Sequence, residues 1–259
     1  MSQGTLWRNP ARSGKLQVNR QGELTRGSVV MWRSTVEQLA EQYGLQRDRI
    51  FFLISGPSGT GKTTLLRRVL SESEGLKKLV STTTRQRRPT ERDGNDYYFV
   101  SRQEFERMIE EGQMVEWKLI FGDYYGLTRN ELTRYPDHDA IFDMDVKGKN
   151  DLLGATSVDC VTIFLMPPSL ETVRERLESR NDLPPDSIEK RLERAKEEIS
   201  FASGYDFIVE NADLNEAIRQ IKAIVVASRS NRDMRLLEKV YPKLVREVQA
   251  DPETRRRRT

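Results

Sequence analysis

The sequence predicts a three-layer α/β fold, a parallel sheet with helices on both faces. Three features of the 259 residues lead to it. Short apolar runs recur at 51–55 (FFLIS), 140–145 (AIFDMD) and 160–166 (CVTIFLM), and runs of that length suit strands buried on both faces. Segments of helical period fall between them, the alternation that builds βαβ units. The first run also passes through a glycine-rich turn directly into a helical pattern beginning at Lys62.

Taken in order, residues 1–30 are rich in Gly, Arg, Asn and Ser without an apolar period, and are read as an extension lacking stable structure. Val36, Leu39 and Ala40 give 33–43 helical spacing, and the folded body begins at Ile50. FFLIS is a strand and Lys62 to about Ser73 a helix. Strands follow at 78–82 (KLVST) and 96–101 (DYYFVS). Ser101 and Glu104 form a capping-box pair for a helix carrying Phe105, Met108 and Ile109. Residues 114–121 are a strand, GDYYG a turn, and AIFDMD and CVTIFLM strands, the last stopped by Pro167 and Pro168. Two charged helices are expected at about 169–180 and 186–201, the second capped by Asp186 and Glu189. Residues 205–211 form the last strand, and Asp213 with Glu216 caps a helix to about Arg229. A further helical pattern at 233–248 is interrupted by Pro242. The expected organisation is an N-terminal extension (1–47), a folded body (48–230), and a C-terminal helix with a basic tail (231–259).

Composition excludes several classes. The net charge of +3 includes the terminal run Arg255 to Arg258, so the body is close to neutral and shows no case for nucleic-acid binding. The single cysteine, Cys160, lies in an apolar run as an inert thiol and excludes an internal disulfide. The single histidine, His138, is in a polar loop; one His and one Cys do not make a zinc site. No run approaches the ~18 apolar residues of a membrane span. Residues 1–33 hold six basic residues and one acid, Glu23. The expected location is the cytoplasm, with an organelle transit peptide as the alternative. The chain is expected to be a monomer, or a homodimer through its C-terminal helix.

The strongest motif is Gly56-Pro57-Ser58-Gly59-Thr60-Gly61-Lys62-Thr63, which fits G-x-x-x-x-G-K-[ST] between a strand and a helix and continues into Thr64. Glycines let backbone N–H groups turn toward one centre and, with the helix N-terminus, cradle anionic oxygens. Lys62 reaches the β- and γ-phosphates, and the Thr63 hydroxyl is placed for Mg²⁺. Asp143 and Asp145 end a parallel strand, at the carboxyl edge beside that loop, and alternation along a strand turns both the same way. Such acids organise a metal and its waters, hold an acceptor, or cap a helix.

Beyond this point the chain resembles the guanylate kinase family, over about residues 51–230. The first resembling stretch is STTTR (81–85), then Arg88, Glu91, Gly94, Asp96 and Tyr97. The resemblance implies that Ser81 donates to the base and that Arg85, Arg88 and Tyr97 hold the phosphate of GMP. Arg87 and Thr90 replace the family's usual proline and glycine. The second stretch is Glu116-Trp117 with Gly122, Tyr124, Tyr125 and Gly126. By resemblance Glu116 reads guanine and Tyr125 touches phosphate. Leu127 stands where the family usually carries a hydroxyl that donates to guanine O6. The resemblance also puts Asp143 and Asp145 near the base or the Mg²⁺ water network, Arg176, Arg180 and Arg191 on a mobile lid, and Asn211 near the adenine of ATP.

These likenesses imply a P-loop NTPase fold with a parallel core sheet, a small acceptor-binding subdomain (about 81–137) and a helical lid (about 170–195). They imply transfer of a phosphoryl group from ATP to (d)GMP with Mg²⁺ as cofactor and small-molecule nucleotides as partners. Lys62, Arg176, Arg180 and Arg191 would neutralise the transferring charge. Leu127 motivates a different acceptor as the rival reading: a modified or deoxy nucleotide, or a sugar phosphate. A non-catalytic phosphopeptide-binding module is the second rival, against which the intact loop speaks.

Overall fold

The computed structural model describes residues 7–8, 48–156, 158–179 and 185–240. The chain divides into two compact units, and 49–220 belong to the unit that carries the cleft described below. Its large sheet has six strands: β1 (Trp7–Arg8), β2 (Phe51–Ser55), β3 (Leu76–Lys78), β8 (Asp139–Asp143), β9 (Cys160–Met166) and β10 (Phe207–Glu210), in the order β1-β10-β9-β2-β8-β3. All pairings are parallel except β1 with β10. Phe52, Leu53 and Ile54 of the central strand are wholly buried, each contributing about 1.5–3 kcal/mol of apolar burial. The doubly covered parallel sheet expected from the apolar runs is present.

The second sheet has four strands: β4 (Thr82–Thr83), β5 (Tyr98–Phe99), β6 (Met114–Ile120) and β7 (Asp123–Thr128), in the order β5-β4-β7-β6. Its existence corrects two readings. The single strand expected at 78–82 is split, because Lys78 pairs with Ile141 in the large sheet while Thr82 pairs with Gly126 in the small one. GDYYG is not a turn: Ile120 pairs with Asp123, so the turn is Phe121-Gly122 and residues 123–128 are a strand. Both turn residues have positive φ, 51° and 90°, the signature of a type I′ hairpin. The strand expected at 96–101 shortens to Tyr98–Phe99.

The helices are α1 (Lys62–Ser71), α2 (Arg102–Glu110), α3 (Arg129–Thr133), α4 (Val146–Ala155), α5 (Leu170–Glu178), α6 (Pro185–Ser200) and α7 (Leu214–Val240). Ser101 caps α2 by accepting from the Glu104 N–H at 3.1 Å, and Asp213 caps α7 through the Glu216 N–H at 2.8 Å. Helices α3 and α4 were not expected. Thr128 caps α3 through the Glu131 N–H at 3.1 Å, so Thr128 and Glu131 have capping-box spacing that the sequence reading passed over. Asp145 caps α4 through the Gly148 N–H at 2.7 Å, so it stands beyond the strand rather than on it.

Asp186 falls inside α6 instead of ahead of it, and Glu189 pairs with Arg174 at 2.6 Å. Helix α7 runs unbroken past Arg229 to Val240, so the break expected between two C-terminal helices is absent there. Trp7–Arg8, expected to lack stable structure, instead add an antiparallel edge strand to β10, while the patterns expected at 1–6, 9–47 and 241–259 lie outside the described residues. No described helix is long and apolar enough to cross a membrane.

Candidate active site

The loop from Gly56 to Gly61 leaves the carboxyl end of β2 and opens α1. Gly56 has φ 153°, and a Cβ there would collide with the Leu165 carbonyl oxygen of β9, so the loop can leave the sheet this closely only with glycine. Lys62 folds over its own loop and donates to the carbonyls of Gly56 and Pro57, the latter at 3.0 Å. The Thr60 carbonyl accepts from buried Asn211 Nδ2 at 2.6 Å and from Arg176 at 3.5 Å, while a second Arg176 nitrogen reaches the Asn211 carbonyl at 3.2 Å. Asn211 and Arg176 therefore clamp the loop from behind.

One cleft of about 400 Å³ joins this loop to the small sheet. It brings together Gly56, Ser58, Gly59, Gly61, Lys62, Thr63 and Thr64 from the loop side. Opposite are Ser81, Arg85, Arg88, Tyr97, Glu116 and Tyr125, with Asp143 and Asp145 along the sheet edge and Arg191 from α6. Pro57, Thr60, Arg176 and Asn211 do not line the cleft. Arg180 lies outside the described residues.

Asp143 closes β8 beside Ile54, two residues before Gly56, which is how the parallel register brings an acid to the phosphate loop. Asp145 reaches the cleft differently, from the N-terminus of α4. Its Oδ2 accepts from Arg194 at 3.1 Å, and that guanidinium also reaches Glu198 at 2.7 Å.

The arginine pocket is pre-ordered by a residue given no role from the sequence. Glu91 accepts from both Arg85 terminal nitrogens at 2.8 and 3.1 Å and from the Arg88 N–H at 2.9 Å. Burial works to raise the Glu91 carboxyl pKa, but these donors outweigh it and the net direction is downward. The Arg85 guanidinium also lies 5.5 Å from the Tyr97 ring centroid, and Tyr97 meets Tyr125 edge-on at 6.0 Å. The negative charge of Asp143, followed by burial, pushes the Tyr97 hydroxyl well above its usual range, so it is a neutral donor.

At the far end stands Glu116, on β6 just after a β-bulge that sets Met114 against Thr128 but Glu116 against Leu127. Bulges of this kind re-aim side chains beside functional sites. Glu116 is 7% exposed. Burial, then the charge of Asp145, pushes its pKa up to about 8. Gly148 makes this proximity possible, since a Cβ there would lie 2.8 Å from both Glu116 Oε2 and Asp145 Oδ1. Leu127 is wholly buried in the apolar core with Phe51, Leu79 and Phe142, and does not line the cleft. Ser81 does line it.

Lys118, Phe121, Asp123, Ser187, Arg194 and Glu198 also line the cleft and were missed. Arg194 and Glu198 read as ordinary charges of an exposed helix, and only the fold brings them to Asp145.

A phosphate loop at the carboxyl edge of a parallel sheet, facing a second cationic pocket, defines a P-loop phosphotransferase. A family model described as guanylate kinase matches residues 48–228. Among curated relatives, the guanylate kinase of Rhodopseudomonas palustris (strain HaA2) is 38% identical over 195 residues, covering 74% of this chain and 89% of that protein. The guanylate kinase of Novosphingobium aromaticivorans is 40% identical over 190 residues, 73% and 86% of the two chains. The crystal structure of guanylate kinase from Anaplasma phagocytophilum superposes with a TM-score of 0.61 at 30% identity, covering 76% of this chain and 97% of that one. The chain belongs to the guanylate kinase family.

Proposed function

We infer that this chain transfers the γ-phosphoryl group of ATP to GMP, giving GDP and ADP. The observation that carries the reading is a shared cleft in which Lys62 and its glycine loop face Arg85, Arg88, Tyr97 and Glu116. Backbone N–H groups of 56–61 and the N-terminus of α1 hold the ATP phosphates, and Lys62 moves from its own loop carbonyls to the β/γ oxygens. Arg85 and Arg88 fork onto the acceptor phosphate, with Tyr97 and Tyr125 as neutral donors. A phosphate monoester has its second pKa near ~6, so the attacking oxygen needs no general base at neutral pH. Catalysis is positioning and charge neutralisation by Lys62 and Arg191; Arg176 would join them only by leaving the Thr60 and Asn211 carbonyls.

Glu116 as carboxylate accepts from guanine N1–H and the 2-amino group, whereas adenine opposes a lone pair to it. Ser81 supplies the donor for O6. Leu127 withdraws one donor from the site without filling it, so a nucleotide acceptor with a guanine base is retained. Both substrates are soluble nucleotides, which favours the cytoplasmic location.

The described residues hold no cluster of three or more acidic, His or Cys side chains that would cage a metal. A Thr63 hydroxyl with Asp143 or Asp145 nearby instead fits Mg²⁺, which keeps waters and phosphate oxygens as most of its ligands. When bound it would neutralise charge on the β- and γ-oxygens.

The test is ADP release with ATP and a panel of GMP, dGMP, AMP, UMP and a sugar phosphate. GMP is expected to be used best. Turnover of another acceptor with none of GMP would overturn the assignment.

A further inference from the structure

Phe121 is the one non-glycine residue with positive φ among those described. It occupies the first central position of the type I′ turn between β6 and β7, where Asn followed by Gly is preferred and a bulky ring is strained. Burial does not offset this strain well, because the residue is 48% exposed.

The ring instead meets two guanidiniums from successive turns of α6: Arg191 at 4.7 Å and Arg194 at 5.3 Å from its centroid. These arginines diverge beyond the ring. Arg191 reaches Ser58 Oγ on the phosphate loop at 3.4 Å. Arg194 reaches Asp145 at the base end of the cleft. Two like charges one turn apart repel; the carboxylates of Asp145 and Glu198 offset this at Arg194, and the ring attracts both guanidiniums.

We propose that Phe121 is a positioning residue: its ring seats Arg191 and Arg194, so that the hairpin tip of the acceptor sheet sets α6 over both ends of the cleft. The proposal rests on the phosphoryl-transfer reading above. Local strain with no local benefit is the expected mark of such a role.

The experiment compares the full chain with Phe121→Trp, Phe121→Leu and Phe121→Asn, measuring kcat at saturating ATP and GMP and amide hydrogen exchange across 187–200. Leucine keeps apolar bulk without a π face, and asparagine suits the turn better than phenylalanine. Both are expected to lose about tenfold in kcat and to exchange about tenfold faster in α6, the size of effect for two partly exposed cation–π contacts. ATP affinity should stay within about twofold, and tryptophan should keep kcat within about twofold of wild type.

Wild-type turnover and exchange in the leucine or asparagine variant would overturn the proposal. So would a tryptophan variant as impaired as the leucine one. Should the asparagine variant fail to fold, the leucine–tryptophan pair decides alone. If the wild-type chain does not phosphorylate GMP, the functional reading fails separately, and the exchange comparison still decides whether the ring holds α6.

Discussion

In the phosphate loop, shape is imposed by backbone and by neighbours standing behind it. Gly56 passes close to the Leu165 carbonyl, and Asn211 and Arg176 bind the Thr60 carbonyl. In the acceptor pocket, charged side chains hold one another: Arg85 on Glu91, Arg194 on Asp145, and Glu116 crowded against Asp145. The donor side is a rigid mould, whereas the acceptor side is a set of ion pairs that must exchange partners when a ligand enters. Changes on the donor side should therefore act through geometry, and those on the acceptor side through charge and pH.

The largest test of this contrast is Lys62→Ala. Turnover should fall by at least about 10³-fold if the ammonium neutralises the transferring charge, while loss of its bonds to the Gly56 and Pro57 carbonyls should lower the thermal midpoint only slightly. Activity assays and a melting curve check both halves.

Next is Glu116→Gln. The kcat/KM for GMP should fall about 10²-fold while the ATP Kd stays within about twofold. The stability effect has a definite sign. The folded pKa, about 8, lies above the ordinary carboxylate value of 4.5, so the folded state binds the extra proton between these limits. Stability from this group is full below the unfolded pKa and falls as pH rises toward 8, by on the order of a few kcal/mol. Melting curves of the glutamine variant should lack that decline. A variant that declines as wild type does would show that Glu116 is not the group titrating.

A smaller effect is expected for Glu91→Gln, which leaves Arg85 and Arg88 without their organising charge. The KM for GMP should rise about tenfold with little change for ATP. Glu91 is depressed in the folded state, so its contribution is present above the unfolded pKa and lost as pH falls through the folded one. The variant should show a shallower acid-side loss in melting experiments.

The smallest is Asn211→Ala. Removing the buried donor to Thr60 should weaken ATP about fivefold and cost about 1–3 kcal/mol of stability, with the acceptor KM unmoved. A change in GMP KM alone would reverse the donor–acceptor contrast, and titration calorimetry with ATP settles it.

The same contrast explains what the sequence disclosed. The phosphate loop was legible because its geometry is local: one strand, three glycines and a helix start within 51–66. The central parallel strands were legible as unbroken apolar runs. The acceptor sheet was legible only at β6, expected at 114–121: β4 and β5 are two residues each, β7 was read as a turn, and one segment crosses from one sheet to the other between Lys78 and Thr82. Helix α4 was hidden by two glycines and by an acid, Asp145, that reads equally as strand end or helix cap. Arg194 and Glu91 were hidden because their partners are forty-nine and six residues away, and pattern alone does not distinguish them from solvated charges.

Crowding of Glu116 and Asp145 at the start of α4 has a consequence for measured heats. Below a pKa of about 8 Glu116 favours its protonated form in the free chain, whereas the contact proposed with guanine requires it bare. On that reading, binding of GMP releases protons to the medium, more of them as the pH falls below about 8. Enthalpies measured by calorimetry in phosphate and in Tris would then differ in proportion to the protons released, while those for ATP alone would agree.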